Sequence, residues 1–219
     1  MKRLVLIVAV CSLVVACAGT VSDPAPTARE HAVAGLRVTL GGAASFGNRS
    51  APVALVVFAD YECPYCARFH HGILGELKTK YIDTGTLLYV HKDFPLPMHA
   101  RALPAAIAAR CAGAQGRYGA MQGRLYEAQT QLGEPLYAEL ARTVGLDLAE
   151  FDRCRADAGV RRAIARDVRE GKQVGVTATP MLMLGRVEGN TVVIERRGAG
   201  LPSLDALSQE IERLRAAAR

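Results

Sequence analysis

Of the six cysteines in this 219-residue chain, only two stand close together, in Cys63-Pro64-Tyr65-Cys66. Thiols at this spacing can supply half of a zinc site, or they can close and reopen a disulfide. A structural zinc site needs four ligands, commonly as two close pairs, and Cys111 and Cys154 supply no second close pair. His70 and His71 follow Cys66, but adjacent residues on a helix point in different directions. The expectation is therefore a redox pair with no metal. A copper-handling protein using Cys63, Cys66 and His70 as soft ligands stands as the rival from another class.

The flanking residues decide which chemistry the pair can do. Ahead of it, residues 53–59 form a continuous apolar run, as expected of a strand buried on both faces. Behind it, Phe69, Ile73, Leu77 and Tyr81 recur at helical spacing, and Pro64 suits the first helical position, where its missing N–H costs nothing. Cys63 then falls at the N-cap, where unpaired backbone N–H groups and the helix dipole stabilise a thiolate. Cys66 lies one turn inside, as the less exposed partner. Cys63 is thus the expected attacking and leaving thiol, and Cys66 the resolving one.

Beyond this unit the pattern continues as a strand near residues 86–90 and then a helical, Ala- and Arg-rich stretch. Pro104, Gly113, Gly116, Gly119, Pro135 and a capping-box-like entry at Asp147 to Glu150 divide that stretch. Two strands follow Pro180, around Met181 to Leu184 and Val192 to Ile194, with Gly189-Asn190 as a hairpin signal. A last helix follows Pro202-Ser203. Met181 and Met183 alternate with Leu and read as core. His91 reads as a residue near a strand end, and His99 as a cap on the first helix of the block. The order βαβ, helices, ββα makes the helical block an insertion into one α/β domain, because the strands on either side need one another.

The chain starts as an export signal. Met1-Lys2-Arg3 is basic, residues 4–15 are apolar apart from Ser12, and small residues follow. A stretch this short cannot span a bilayer core, which takes about 20 residues. Val14-Val15-Ala16-Cys17 resembles a lipoprotein signal with Cys17 as the acylated residue; cleavage after Ala18 is the alternative, giving a soluble periplasmic protein. Residues 1–18 are read as the signal and residues 19–37, with Asp23-Pro24-Ala25-Pro26, as a flexible tether. The net charge of +6 is spread out, aromatics make up 5% and Trp is absent, so nucleic-acid binding has no platform and contact with a membrane rests on the lipid alone. In an exported chain, cysteine pairs are structural or belong to disulfide chemistry.

Four segments together resemble the DsbA-like disulfide oxidoreductases of the thioredoxin superfamily. They are residues 56–66 (VVFADYECPYC), Asp93-Phe94-Pro95, residues 105–111 (AAIAARC) and residues 175–180 (GVTATP). The resemblance implies an α/β protein with a thioredoxin fold, over residues 38–98 and 172–219, carrying an inserted all-helical domain at 99–171. It implies a cis Thr179–Pro180 bond beside the cysteines, with the Thr179 backbone free to pair with an extended substrate. It also implies donation of the Cys63–Cys66 disulfide to reduced or misoxidised substrate proteins, with no cofactor and with recycling by a membrane redox partner. A reductase or isomerase of the same fold is the alternative.

Two departures from the family matter. The strongly oxidising members carry Pro-His where Pro64-Tyr65 stands, so a milder potential is expected. Val57 occupies the position of a buried acid, which leaves Asp60 or Glu62 as substitutes or else as solvated loop acids. Cys111 and Cys154 are read as a structural disulfide within the insert, worth roughly 4 kcal/mol on the chain-entropy model.

Overall fold

The computed structural model describes Val33 and residues 35–218; the signal, Cys17 and most of the tether lie outside the described residues. The apolar run forms β3 (Val53–Ala59), buried at every position and central to a six-stranded sheet. Its neighbours are β4 (Leu87–Asp93), parallel, and β5 (Met181–Glu188), antiparallel. β6 (Thr191–Ala199) pairs with β5 through a two-residue turn in which Gly189 takes φ +60°, a conformation that glycine adopts without steric cost. Short strands β1 (Arg37–Thr39) and β2 (Ala44–Phe46) close the two edges, giving the order β1-β6-β5-β3-β4-β2. Neither edge strand was foreseen, because three residues carry no readable alternation. Short edges of this kind also limit edge-to-edge pairing with other chains.

Period-two alternation along β3 divides the core. Val53, Leu55 and Val57 face one apolar cluster, which continues without a break into the helical insert. Ala54, Val56 and Phe58 face a second cluster with Phe94, Val174 and Val176. At Gly185 the β5 backbone passes so close to β6 that an added Cβ would lie 2.0 Å from the Val193 carbonyl oxygen, and the register shifts there.

The helix after the cysteines is segmented. α1 (Pro64–Arg68) and α2 (Leu74–Leu77) alternate with wider π-helical turns at Phe69–Ile73 and Lys78–Ile82. The expected apolar positions nevertheless face inward, with Phe69, Leu77 and Tyr81 buried and Ile73 packed at the cluster's margin.

Between β4 and β5 run α3 (Ala102–Ala114), α4 (Tyr118–Glu127), a 3-10 turn (Gln129–Gln131), α5 (Glu134–Thr143), α6 (Leu148–Ala156) and α7 (Ala158–Gln173). Asp147 caps α6 by accepting the Glu150 N–H at 2.7 Å. α7 does not stay with the other inserted helices: Ile164 joins the insert's core while Val168 also packs on the far face of the sheet. α8 (Leu204–Ala217), capped by Ser203, returns Leu207, Ile211 and Leu214 to the first cluster.

Candidate active site

The end of β3 delivers the chain directly to Cys63, which caps α1 in an extended conformation with Pro64 at the first helical turn. The Cys63 carbonyl begins the helix by accepting the N–H groups of Cys66 and Ala67 at 3.0 and 3.2 Å. Cys63 and Cys66 are both free thiols and both buried, at 4% and 1% exposure, so access differs little between them. Their partners differ much more.

Hydrogen bonding from Cys66 is the main cause that lowers the Cys63 thiol to about 6. Burial opposes this, while the Thr179 side chain and the backbone N–H groups of Cys66 and Tyr65 add to it. As a thiol, Cys63 donates to the Thr179 carbonyl at 3.1 Å. As a thiolate it accepts instead, and the Thr179 hydroxyl, which is buried and otherwise unpartnered, is then available to it. Burial pushes Cys66 far up, and the neighbouring Cys63 reinforces the shift. Opposite displacement of two sulfurs in one motif makes one an anion and the other a thiol at neutral pH.

The Thr179–Pro180 bond is cis and sits against Cys63. Cys111 and Cys154 are bonded to each other, joining α3 to α6 with Cα atoms 5.6 Å apart. Tyr65 is exposed at 52%, with the Arg68 guanidinium 5.5 Å from its ring centroid. A cation thus stands beside the motif although the dipeptide itself supplies none. Met98, exposed at 75%, is the other large exposed apolar side chain among the described residues.

Two expectations need correction. Asp60 is not a solvated loop acid; it is buried, and its carboxylate accepts the N–H groups of Glu62 and Leu96, each at 2.7 Å. His99 does not cap the first inserted helix, whose N-cap is Arg101. Its Nδ1 lies instead 2.8 Å from Asp60 Oδ2. Glu62, partly buried, is also committed, accepting the Arg101 N–H. Val57 lies buried in β3 directly beside His91 of β4.

Sequence reading missed two further groups. The Gln129 Nε2 donates to the carbonyls of Tyr61 and Cys63 at 2.7 and 3.0 Å, so the insert clamps the active-site turn. Nothing in a lone glutamine signals that role. Beneath the sheet's end, Arg110 joins Asp93 and Asp167, and Lys92 joins Asp167 and Glu170. Burial works against the Asp93 carboxylate, but His91 and Arg110 outweigh it and lower its pKa, whereas burial dominates at Asp167 and raises it. His91, buried on the same strand, accepts or shares a hydrogen bond with the Gln122 Nε2 at 3.0 Å.

His70 does not join the cysteines. Its ring packs on Tyr126 at 4.9 Å, and burial lowers its pKa to about 4. Among the described residues, no group of three or more His, Cys, Asp or Glu is placed to hold a metal ion. Met181 and Met183 are buried core residues of β5.

Comparison with known proteins adds to this geometry. A thioredoxin family model matches residues 39–194. The solved structure of alpha-DsbA1 from Wolbachia pipientis superposes with a TM-score of 0.70 at 25% identity, covering 81% of this chain and 93% of that one. A putative protein-disulfide oxidoreductase of Rickettsia prowazekii is 43% identical over 67 residues, 31% of this chain and 24% of that protein. A Na(+)/H(+) antiporter NhaA 1 of Mycobacterium sp. (strain KMS) is 35% identical over 137 residues, 61% of this chain, and the chain spans only 22% of that relative's length.

Proposed function

We propose, from the premise that the chain belongs to the thioredoxin family and is DsbA-like in its fold, that it is a protein-disulfide oxidoreductase working as a disulfide donor. The observation that carries the reading is the opposite displacement of the two thiols, Cys63 down to about 6 and Cys66 upward. Stabilising the Cys63 thiolate stabilises the reduced enzyme, which makes its disulfide the stronger oxidant.

In the reaction, a substrate thiolate attacks Cys63 Sγ of the enzyme disulfide. The Cys63–Cys66 bond breaks, a mixed disulfide forms, and Cys66 leaves and takes up a proton. A second substrate thiolate attacks the substrate sulfur of the mixed disulfide and expels Cys63 as a thiolate. Two substrate thiols are thereby oxidised to a disulfide, and the enzyme gains both electrons. The dithiol carries them, so no cofactor is needed. The Thr179 carbonyl, beside Cys63, offers the substrate backbone a partner.

The apolar leader and Cys17 support an exported, lipid-anchored protein on the periplasmic face of a bacterial membrane. A membrane redox partner then returns the dithiol to the disulfide. Among the described residues no helix is long and apolar enough to cross a membrane.

The test is the reduction potential of Cys63–Cys66 in glutathione buffers, read by thiol trapping and mass spectrometry. Values of about −120 to −180 mV are expected, the range of the oxidants, towards its milder end because the Pro64-Tyr65 dipeptide brings no cation of its own. A value near −270 mV, that of thioredoxin, would mean a reductase instead.

A further inference from the structure

The backbone of Asp60 hydrogen-bonds to both cysteines. The Asp60 N–H donates to Cys66 Sγ at 3.5 Å, and its carbonyl accepts the Cys63 N–H at 3.2 Å. The geometry is held from the other end of the same residue. Oδ1 accepts the Glu62 N–H, while Oδ2 accepts the Leu96 N–H and faces His99 Nδ1 at 2.8 Å. All four polar groups of Asp60 are therefore committed to the turn that carries the cysteines or to the loop packed over it. The carboxylate is wholly buried, whereas the His99 side chain keeps 24% of its surface in solvent.

A buried carboxylate within this hub disfavours any second negative charge nearby, in proportion to how poorly it is compensated. The second charge here is the thiolate of the reduced enzyme, which the oxidised enzyme does not carry. The His99 N–H is the only side-chain donor the structure places on that carboxylate among the described residues, and it faces the oxygen that the Leu96 N–H also holds.

We propose that Asp60 is a positioning residue for both cysteines and that His99, by compensating the Asp60 carboxylate, sets how far the Cys63–Cys66 equilibrium leans towards the dithiol. This rests on the oxidoreductase reading above and adds to it a pair with a stated sign. Asp60→Asn keeps the shape and one acceptor oxygen and removes the charge, at the cost of setting its amide NH2 against one of the two backbone N–H groups that the carboxylate accepts, so the reduced form gains. His99→Leu removes the donor but leaves the charge, so the reduced form loses. Merely structural damage has no reason to produce opposite signs.

The experiment is redox titration against glutathione of the wild-type protein, Asp60→Asn, His99→Leu, the double variant and His99→Gln, with circular dichroism confirming the fold of each. Asp60→Asn is expected to shift the equilibrium about tenfold towards the dithiol, which is about 30 mV upward. His99→Leu is expected to shift it severalfold the other way. The double variant should match Asp60→Asn, since without the charge His99 has nothing to compensate. His99→Gln, which retains an N–H donor, should stay within about twofold of wild type.

Shifts of the same sign, an additive double variant, or no shift beyond twofold in a folded Asp60→Asn protein would overturn the proposal. If Asp60→Asn fails to fold, the opposed behaviour of His99→Leu and His99→Gln decides alone: equal values for those two overturn it. The wild-type titration separates this failure from failure of the functional reading. Absence of a reversible dithiol–disulfide equilibrium in the wild type would end that reading, whereas a normal wild-type curve with unmoved variants would end only the role of Asp60 and His99.

Discussion

Replacing Cys66 by alanine isolates the largest cause of the low Cys63 pKa. The thiol of Cys66 donates to the Cys63 sulfur, and that bond comes ahead of the Thr179 side chain and the helix N–H groups in holding the thiolate. A hydrogen bond to a charged group contributes about 1.5–3 kcal/mol, and 1.36 kcal/mol corresponds to about one pKa unit. Loss of the donor should therefore raise Cys63 from about 6 to roughly 7–8.

Cys66→Ser keeps an O–H donor at the same place and should hold Cys63 within about half a unit of its wild-type value. The assay is thiolate absorbance near 240 nm against pH, on the domain starting at residue 20. The Cys111–Cys154 disulfide does not titrate, so Cys63 is the only thiol of that domain left to report. A Cys66→Ala protein that still titrates near 6 would refute the reasoning. It would assign the depression to the helix N-terminus and Thr179 alone.

The same shift makes stability pH-dependent. In Cys66→Ser, Cys63 is depressed in the folded state, so its contribution is complete above the ordinary thiol range near pH 9 and is lost as pH falls through about 6. Urea midpoints should fall over that window relative to Cys63→Ser/Cys66→Ser; parallel curves would contradict the assignment. Replacing Cys111 and Cys154 together by alanine opens a loop of sequence separation 43 and should cost roughly 4 kcal/mol in urea unfolding, with the potential of Cys63–Cys66 nearly unchanged. Arg110→Met leaves Asp93 and Asp167 buried without their shared cation and should cost about 3–5 kcal/mol. A loss below 1 kcal/mol would show that Lys92 and His91 suffice. Gly171→Ala drives a methyl group to within 2.7 Å of the Phe94 ring and should destabilise by about 1–3 kcal/mol, read as a lowered thermal midpoint.

The redox chemistry was legible because it is local. A buried strand, two cysteines three positions apart and a helix that starts at Pro64 all lie within one short stretch, and the physics of a helix N-terminus needs only that stretch. The β5–β6 hairpin was legible for the same reason, since Gly189 and its neighbour close it without help from elsewhere. The groups that tune the chemistry were not legible, because each acts across the fold. Gln129 reaches the Cys63 carbonyl from 66 positions away, while Thr179, 116 positions from the sulfur it touches, was placed there by the family resemblance and not by its own neighbours. Asp60 read equally as a substitute acid or as a solvated loop acid, because the residues beside it do not show what packs over it, and the loop carrying Leu96 and His99 supplies two of its partners. The edge strands β1 and β2 exist by pairing with β6 and β4 rather than by any pattern of their own. Local sequence determines which atoms can react. Contacts between distant segments determine what surrounds those atoms, because charge and burial act through space rather than along the chain.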